Sequence, residues 1–255
     1  VPENTRHLRV AVLIAGALEG TGWKECIDSI KRYVVSPYNS DVFVVADATD
    51  KNASKVVRYI NPKLYILGDY TSKEVHDRLK SAFTTNFYRM LSKMHDCNEL
   101  RRQFERDHRV AYDVVVVMRP DLMLYEPMNI GVCLASPQCV FCAKKREAYL
   151  NGYSLYGFTD QCFFASPKVM NKLLVGTQEF TRKLSHTDIV PICRMNEYII
   201  YRYCLLNGIC IRPFPLYFCI LRHCNLSNLQ WVQDTLQKKG SLVSASKEVC
   251  DRWFA

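Results

Sequence analysis

The sequence predicts an α/β protein with a central, mixed but mostly parallel sheet flanked by helices, and three observations carry that prediction. The run Tyr112-Asp-Val-Val-Val-Val-Met-Arg-Pro-Asp-Leu122 is β-branched and continuous, bounded by charge, the pattern of a strand buried on both faces in mid-sheet. The N-terminal third alternates short apolar runs with stretches of helical spacing in a βαβαβ order. Right-handed crossovers turn such an order into a parallel sheet. At 255 residues and 29.6 kDa the chain can bury a substantial core, as one large domain or a domain with an appendage.

The elements follow in order. His7-Leu-Arg-Val-Ala-Val-Leu-Ile-Ala15 is an apolar strand running into Gly16-Ala-Leu-Glu-Gly20-Thr-Gly22. Ala15 and Gly16 mark a junction where a ligand can approach the backbone, because glycine has no Cβ and tolerates positive φ. The spacing is neither a P-loop nor GxGxxG, and no Lys-Ser/Thr follows, so ATPase and dinucleotide fingerprints are absent. Trp23, Cys26, Ile27, Ile30 and Val34 give a helix that Pro37 should end. Asp41-Val-Phe-Val-Val-Ala-Asp47 is a second buried strand ending in an acidic turn. Asp47 could accept hydrogen bonds from a ribose or base, and equally Asp50 or Asn52 could simply cap a helix over 53–60. Lys63-Leu-Tyr-Ile-Leu67 is a third strand.

Residues 72–108 form a long polar segment with helical apolar spacing, opened by a Ser72 cap and interrupted near Asp96-Cys97-Asn98. Within it Asn86, Phe87, Arg89 and Met90 are placed to face the strand ends, although most charges on such a helix are merely solvated. The central strand follows at 113–118. After it, Arg119-Pro120-Asp121 stands where ligands collect in open α/β folds, the bland alternative being a solvated strand end stopped by Pro120. Tyr149-Leu-Asn-Gly-Tyr-Ser-Leu-Tyr-Gly157 suits a sugar-stacking rim or an irregular loop packing its own aromatics. Asp160-Gln-Cys-Phe-Phe-Ala-Ser166 is a strand preceded by an acid, and Pro167 opens a helix through Leu174. Asn196-Glu197 opens a helix over 198–206 that Asn207-Gly208 terminates. In that position Glu197 also satisfies the helix dipole. Ile209-Cys-Ile-Arg-Pro and Leu216-Tyr-Phe-Cys-Ile-Leu221 are late strands, the second delivering Arg222-His223.

Composition narrows the function classes. A net charge of +9, spread along the chain, favours anionic ligands such as nucleotide phosphates. There is no basic, aromatic-interleaved stripe, so nucleic acid is not an expected partner. Most of the 12 cysteines sit in apolar runs as small hydrophobes, and Cys139-Val-Phe-Cys142 has no second half to make a zinc site. The expectation is a reducing, cytoplasmic setting with no membrane span and no signal peptide. In the less favoured Golgi lumen, Asn52-Ala-Ser and Asn225-Leu-Ser would be glycosylation acceptors.

Taken together, glycine after the first strand, acid after the second, Arg-Pro-Asp after the central strand, then Asp160, Glu197 and His223 resemble the GT-A fold of sugar-nucleotide-dependent glycosyltransferases. More closely, Asn86 to Met90, Tyr112-Asp113 through Leu122, Asp160-Gln-Cys-Phe-Phe, and Asn196-Glu197 with Gly208-Ile209 and Arg222 look like polysaccharide and capsid glycosyltransferases of bacteria and of large DNA viruses of algae. The resemblance covers roughly residues 8–223. It implies a GT-A-like domain over 1–224 with a helical extension, 225–255, packed on it, and a host cytoplasm during viral infection as one setting. It further implies transfer of a sugar from a UDP- or GDP-sugar to a hydroxyl of a glycan or glycoprotein.

By the same resemblance, Ala15, Gly16, Asp47, Arg89, Arg119, Asp121 and Arg222 would bind the donor. Mn²⁺ or Mg²⁺ would be held by Asp121 and His223, and Glu197 or Asp160 would be the catalytic base. The sequence departs from the family's DxD motif, because Arg119 replaces the first acid. Two rival readings remain: a nucleotide- or glycan-binding module without turnover, and a sugar nucleotidyltransferase. The second usually carries a basic loop after the first strand, and Gly16 to Gly22 has no Lys or Arg.

Overall fold

The computed structural model describes residues 8–18, 22–70, 82–143, 148–150, 153–155, 160–183, 196–214, 216 and 218–220. Its strands are β1 (Val10–Ala15), β2 (Asp41–Asp47), β3 (Leu64–Gly68), β4 (Val114–Met118), β5 (Leu122–Leu124), β6 (Cys139–Ala143), β7 (Ala148–Leu150), β8 (Tyr153–Leu155), β9 (Cys162–Ala165), β10 (Cys210–Phe214) and β11 (Phe218–Ile220). The helices are α1 (Trp23–Ile30), α2 (Ala53–Ile60), α3 (Ala82–His108), α4 (Val132–Ala135), α5 (Pro167–Lys183) and α6 (Asn196–Leu206).

Seven strands form the central sheet, in the order β10-β6-β9-β4-β1-β2-β3. Every neighbouring pair is parallel except those made by β9, which runs antiparallel to β4 and β6. This is the expected mixed, mostly parallel sheet, consistent with a GT-A-like, Rossmann-type arrangement. The first four strands lie in the order 3-2-1-4, so the chain reverses direction across the sheet between β1 and β4. β4 is central and wholly buried.

The pleat divides each strand's side chains between two cores. Val10, Val12 and Ile14 join Ile27, Ile30 and Val56 of α1 and α2 on one face. Ala11, Leu13 and Ala15 join Phe87, Leu91 and Met94 of α3, Leu173 of α5 and Ile200 of α6 on the other. Helix ends follow local chemistry. α2 stops at Asn61, which takes the left-handed conformation asparagine tolerates, and α6 stops at Gly208 with φ 63°.

Several expectations are corrected. The first helix is not ended by Pro37: α1 continues through a π-helical turn, Lys31–Val35, and a last turn, Ser36–Tyr38, that contains the proline and closes at Asn39. α3 is unbroken across Asp96-Cys97-Asn98. Cys97 and Asn98 are fully buried there, and the Asn98 side chain is bonded to Asn171 and Arg101 instead of competing for backbone. α5 runs past Leu174 to Lys183, and part of the Tyr/Gly loop is the β7–β8 hairpin. The expected Ser72 cap and the 225–255 extension lie outside the described residues.

α5 and α6 meet at Gly176. A Cβ there would stand 1.7 Å from the Tyr203 hydroxyl, so glycine is what admits the ring. The hydroxyl donates to the Lys172 carbonyl at 3.0 Å.

Candidate functional site

The crevice outside the carboxyl ends of β1 and β4 is where the strand order reverses, the position at which open α/β sheets bind ligands. A small cleft opens there, lined by Ala17 and Leu18 after β1, Gly22, Trp23 and Cys26 at the start of α1, and Pro120 and Asp121 after β4. The Leu18 N–H donates to the Asp50 carboxylate at 2.9 Å, which pins the loop between β1 and α1. Leu124 is fixed from the other side by the Ser29 hydroxyl of α1, 3.0 Å from its N–H.

Gly16 and Pro120 interlock at the floor of this cleft. Gly16 has φ 157°, and a Cβ on it would stand 2.8 Å from Cδ of Pro120. The space a ligand was expected to use at Gly16 is therefore filled by the proline ring, and the open surface begins at Ala17. Ala15 is buried at the end of β1.

Arg119 and Asp121 form a buried bidentate pair. Nε donates to Oδ1 at 2.9 Å and Nη2 to Oδ2 at 2.6 Å, the fork geometry of a strong guanidinium–carboxylate contact. Asp160 is buried just before β9. Cys162 lies opposite Met118, and the Arg119 N–H donates to the Gln161 carbonyl at 3.0 Å. The structure therefore gathers Gly16, Arg119, Asp121 and Asp160 along one edge of the sheet.

A second cluster lies along the same edge, at the end of β2. Asp47 is 4 % exposed and accepts from the Tyr70 N–H at 3.2 Å, from the buried Lys93 ammonium and, more loosely at 3.5 Å, from Arg89. The carboxylate expected to meet a ribose is thus committed to two cations of α3. Lys93 is the close partner of that carboxylate and Arg89 the loose one. Arg89 is about a quarter exposed, its contact to Asn86 is also 3.5 Å, and its Nε is buried with no partner among the described residues. Tyr70 closes the cluster, donating from its hydroxyl to Asp96 at 2.7 Å. Burial first and that bond second push its pKa well up, so the hydroxyl stays protonated.

Glu197 stands in the first turn of α6, and its side chain lies outside the described residues, as do Arg222 and His223. The chain reaches Ile220 opposite Leu122, directly after the Arg119-Pro-Asp121 turn. Lys93 was missed in the sequence, and Asp50, read there only as a helix cap, also accepts from the Leu18 N–H. Lys93 had a legible signal: it lies three residues after Met90 and four before Cys97, on the apolar stripe of α3, where a lysine must be paired if the helix packs.

The described residues do not fit a divalent cation. Both Asp121 oxygens face the Arg119 guanidinium, and no group of three His, Cys, Asp or Glu among the described residues could hold a metal. No described helix is long and apolar enough to cross a membrane.

No family model and no curated protein matches the chain. Among solved structures it is similar to a crystal structure of a glycosyltransferase involved in the glycosylation of the major capsid of PBCV-1. The identity is 9 %, the match covers 80 % of this chain and 82 % of that one, and the TM-score is 0.46. This is a likeness of backbone course alone. What the site can do follows from its own geometry: a cleft at the strand reversal, Lys93 and Arg89 paired to Asp47 at the end of β2, and a buried acid, Asp160, before β9.

Proposed function

We propose that the protein is a glycosyltransferase that moves a sugar from a nucleoside-diphosphate sugar, UDP- or GDP-linked, to a hydroxyl of a glycan or glycoprotein. The observation that carries the reading is what gathers at one end of the sheet: the cleft after β1 and β4, Arg89 and Lys93 against Asp47 at the end of β2, and the buried Asp160 just before β9. The order of motifs in the sequence supports it.

In this reading the nucleoside lies across Ala17, Leu18 and Trp23, beside Ala15 and Gly16, and the diphosphate turns toward Arg89. The Nε of Arg89, which has no partner among the described residues, is the donor offered to the anion. Asp47, itself paired to Lys93, draws that guanidinium to the end of β2. Asp121, its charge matched by Arg119, is a hydrogen-bond acceptor for the transferred sugar, and Arg222 adds to the phosphate contacts.

The acceptor oxygen attacks the anomeric carbon while Asp160 or Glu197 takes its proton. The bond from that carbon to the phosphate oxygen breaks, and the leaving diphosphate's charge is met by Arg89. No step is routed through a metal, because the carboxylate that would hold it is paired to arginine; His223 would have to supply what the described residues lack.

The full chain is incubated with a panel of UDP- and GDP-sugars and a mixed glycan acceptor, with Mn²⁺, with Mg²⁺ or with chelator. Release of nucleoside diphosphate with transfer of the sugar supports the reading. Pyrophosphate release from a nucleoside triphosphate and a sugar phosphate would replace it with nucleotidyl transfer, and binding without release would replace it with a non-catalytic module. Glu and Asp are then separated by Asp160→Asn and Glu197→Gln: the base variant loses at least roughly 10²-fold in kcat and keeps donor affinity.

A further inference from the structure

The edge of the sheet far from β3 carries a pair of cysteines. β6 and β10 run parallel, with Cys139 directly opposite Cys210. Opposed residues in a parallel ladder project to the same face. The ordinary strand spacing of about 4.7–4.9 Å puts their Cα atoms inside the range of roughly 4.4–6.8 Å that disulfides span. Both thiols are unbridged.

The two differ in access. Cys139 is fully buried, whereas Cys210 is exposed on β10, which is the edge strand among the described residues. Burial and the Cys210 thiol raise the Cys139 pKa, and the Arg212 guanidinium, two residues along β10, opposes them. Cys142, the other cysteine of β6, lies opposite Pro213 and has no thiol facing it in this ladder.

We propose that Cys139 and Cys210 are a redox-active pair that closes to a cross-strand disulfide when the protein meets a small disulfide of the glutathione class. The Cys210 thiolate attacks one sulfur of the oxidant, forms a mixed disulfide and releases one thiol. The Cys139 thiol gives its proton to solvent, attacks the Cys210 sulfur and releases the second thiol. Two protein thiols thereby lose two electrons and two protons, and one small disulfide becomes two thiols. The bond stitches β10, the strand that follows α6, to β6. Adjacent parallel strands hold opposed Cβ atoms at the long end of disulfide geometry, so the bond is readily reduced again, as labile regulatory bridges are. This site stands apart from glycosyl transfer and does not depend on it.

The full chain is treated with oxidised glutathione at mildly alkaline pH, blocked, digested without reductant and measured by mass spectrometry. The expected product is a peptide pair joined through Cys139 and Cys210, two hydrogens lighter than the free peptides, reverting with a dithiol reductant. Cys139→Ala should stop at glutathione on Cys210, and Cys210→Ser should lose both products. The exposed Cys210→Ser change leaves the buried core intact, which keeps the comparison meaningful if Cys139→Ala folds poorly. Persistent glutathione on Cys210 in the wild type, a bridge from Cys210 to another cysteine, or no reaction at Cys210 would each overturn the proposal.

Discussion

Replacing Gly16 with alanine tests how the floor of the cleft is built. The added methyl carbon would sit 2.8 Å from Cδ of Pro120 and 3.4 Å from its Cγ, where carbon pairs prefer about 3.5–4.0 Å. Overpacking of this kind costs roughly 1–3 kcal/mol, because the proline ring belongs to a turn held by the Arg119–Asp121 pair and cannot swing aside. The backbone at φ 157° adds a second cost of about 1–3 kcal/mol for any residue with a Cβ. The sum, about 2–6 kcal/mol, lowers Tm by roughly 4–24 °C in a chain of this size.

Urea unfolding of the wild type, Gly16→Ala, Pro120→Ala and the double variant separates the two costs. Pro120→Ala removes the clashing carbons, so the double variant recovers the steric part but not the backbone part, giving a coupling of about 1–3 kcal/mol. A Gly16→Ala protein within about 0.5 kcal/mol of wild type, or strict additivity in the double, would refute the interlock.

Three further outcomes follow from the same coordinates. Gly176→Ala should destabilise by at least about 1–3 kcal/mol despite its better helix propensity, because the Tyr203 ring must leave; adding Tyr203→Ala should restore much of the loss in thermal melts. Lys93→Met, which leaves the buried Asp47 with only its looser partners, should cost up to about 3–5 kcal/mol, and pairing it with Asp47→Asn should return part of that in urea titrations. Stability should fall as pH rises above about 9. The unfolded thiols ionise from 9.0 upward, while burial keeps Cys133 protonated to about 11 and Cys204 to about 12, so the native state binds more protons throughout that window. Urea midpoints at pH 7.5 and 10.5 in reductant check the sign, and an unchanged or higher midpoint at the alkaline pH would contradict it.

The sheet was readable wherever a strand was apolar on both faces. Val114 to Met118 could only be a central strand, and the βαβαβ order forced β1, β2 and β3 to lie side by side. The carboxyl ends of those strands therefore pointed to the edge where Gly16, Arg119, Asp121 and Asp160 gather. What stayed hidden depended on partners distant in sequence. Asn98 looked like a helix breaker because its tie to Asn171, 73 residues away, is invisible locally. Asp47 looked free because the lysine that claims it comes 46 residues later. β5 is a three-residue strand whose pairing with β11 arises from the last described part of the chain. Gly16 was recognised as a close-approach glycine, but the group approaching it is Pro120, brought there by the parallel register of β1 and β4.

Amide hydrogen exchange of the full chain, with and without the sugar nucleotide that gives turnover, tests most directly whether transfer takes place at the reversal of the sheet. The account predicts protection concentrated at 15–18 and 119–124, with a second footprint on the first turns of α3 around Arg89. Turnover accompanied by protection only at the opposite, amino-terminal strand ends, or along the β3 or β10 edge, would contradict it.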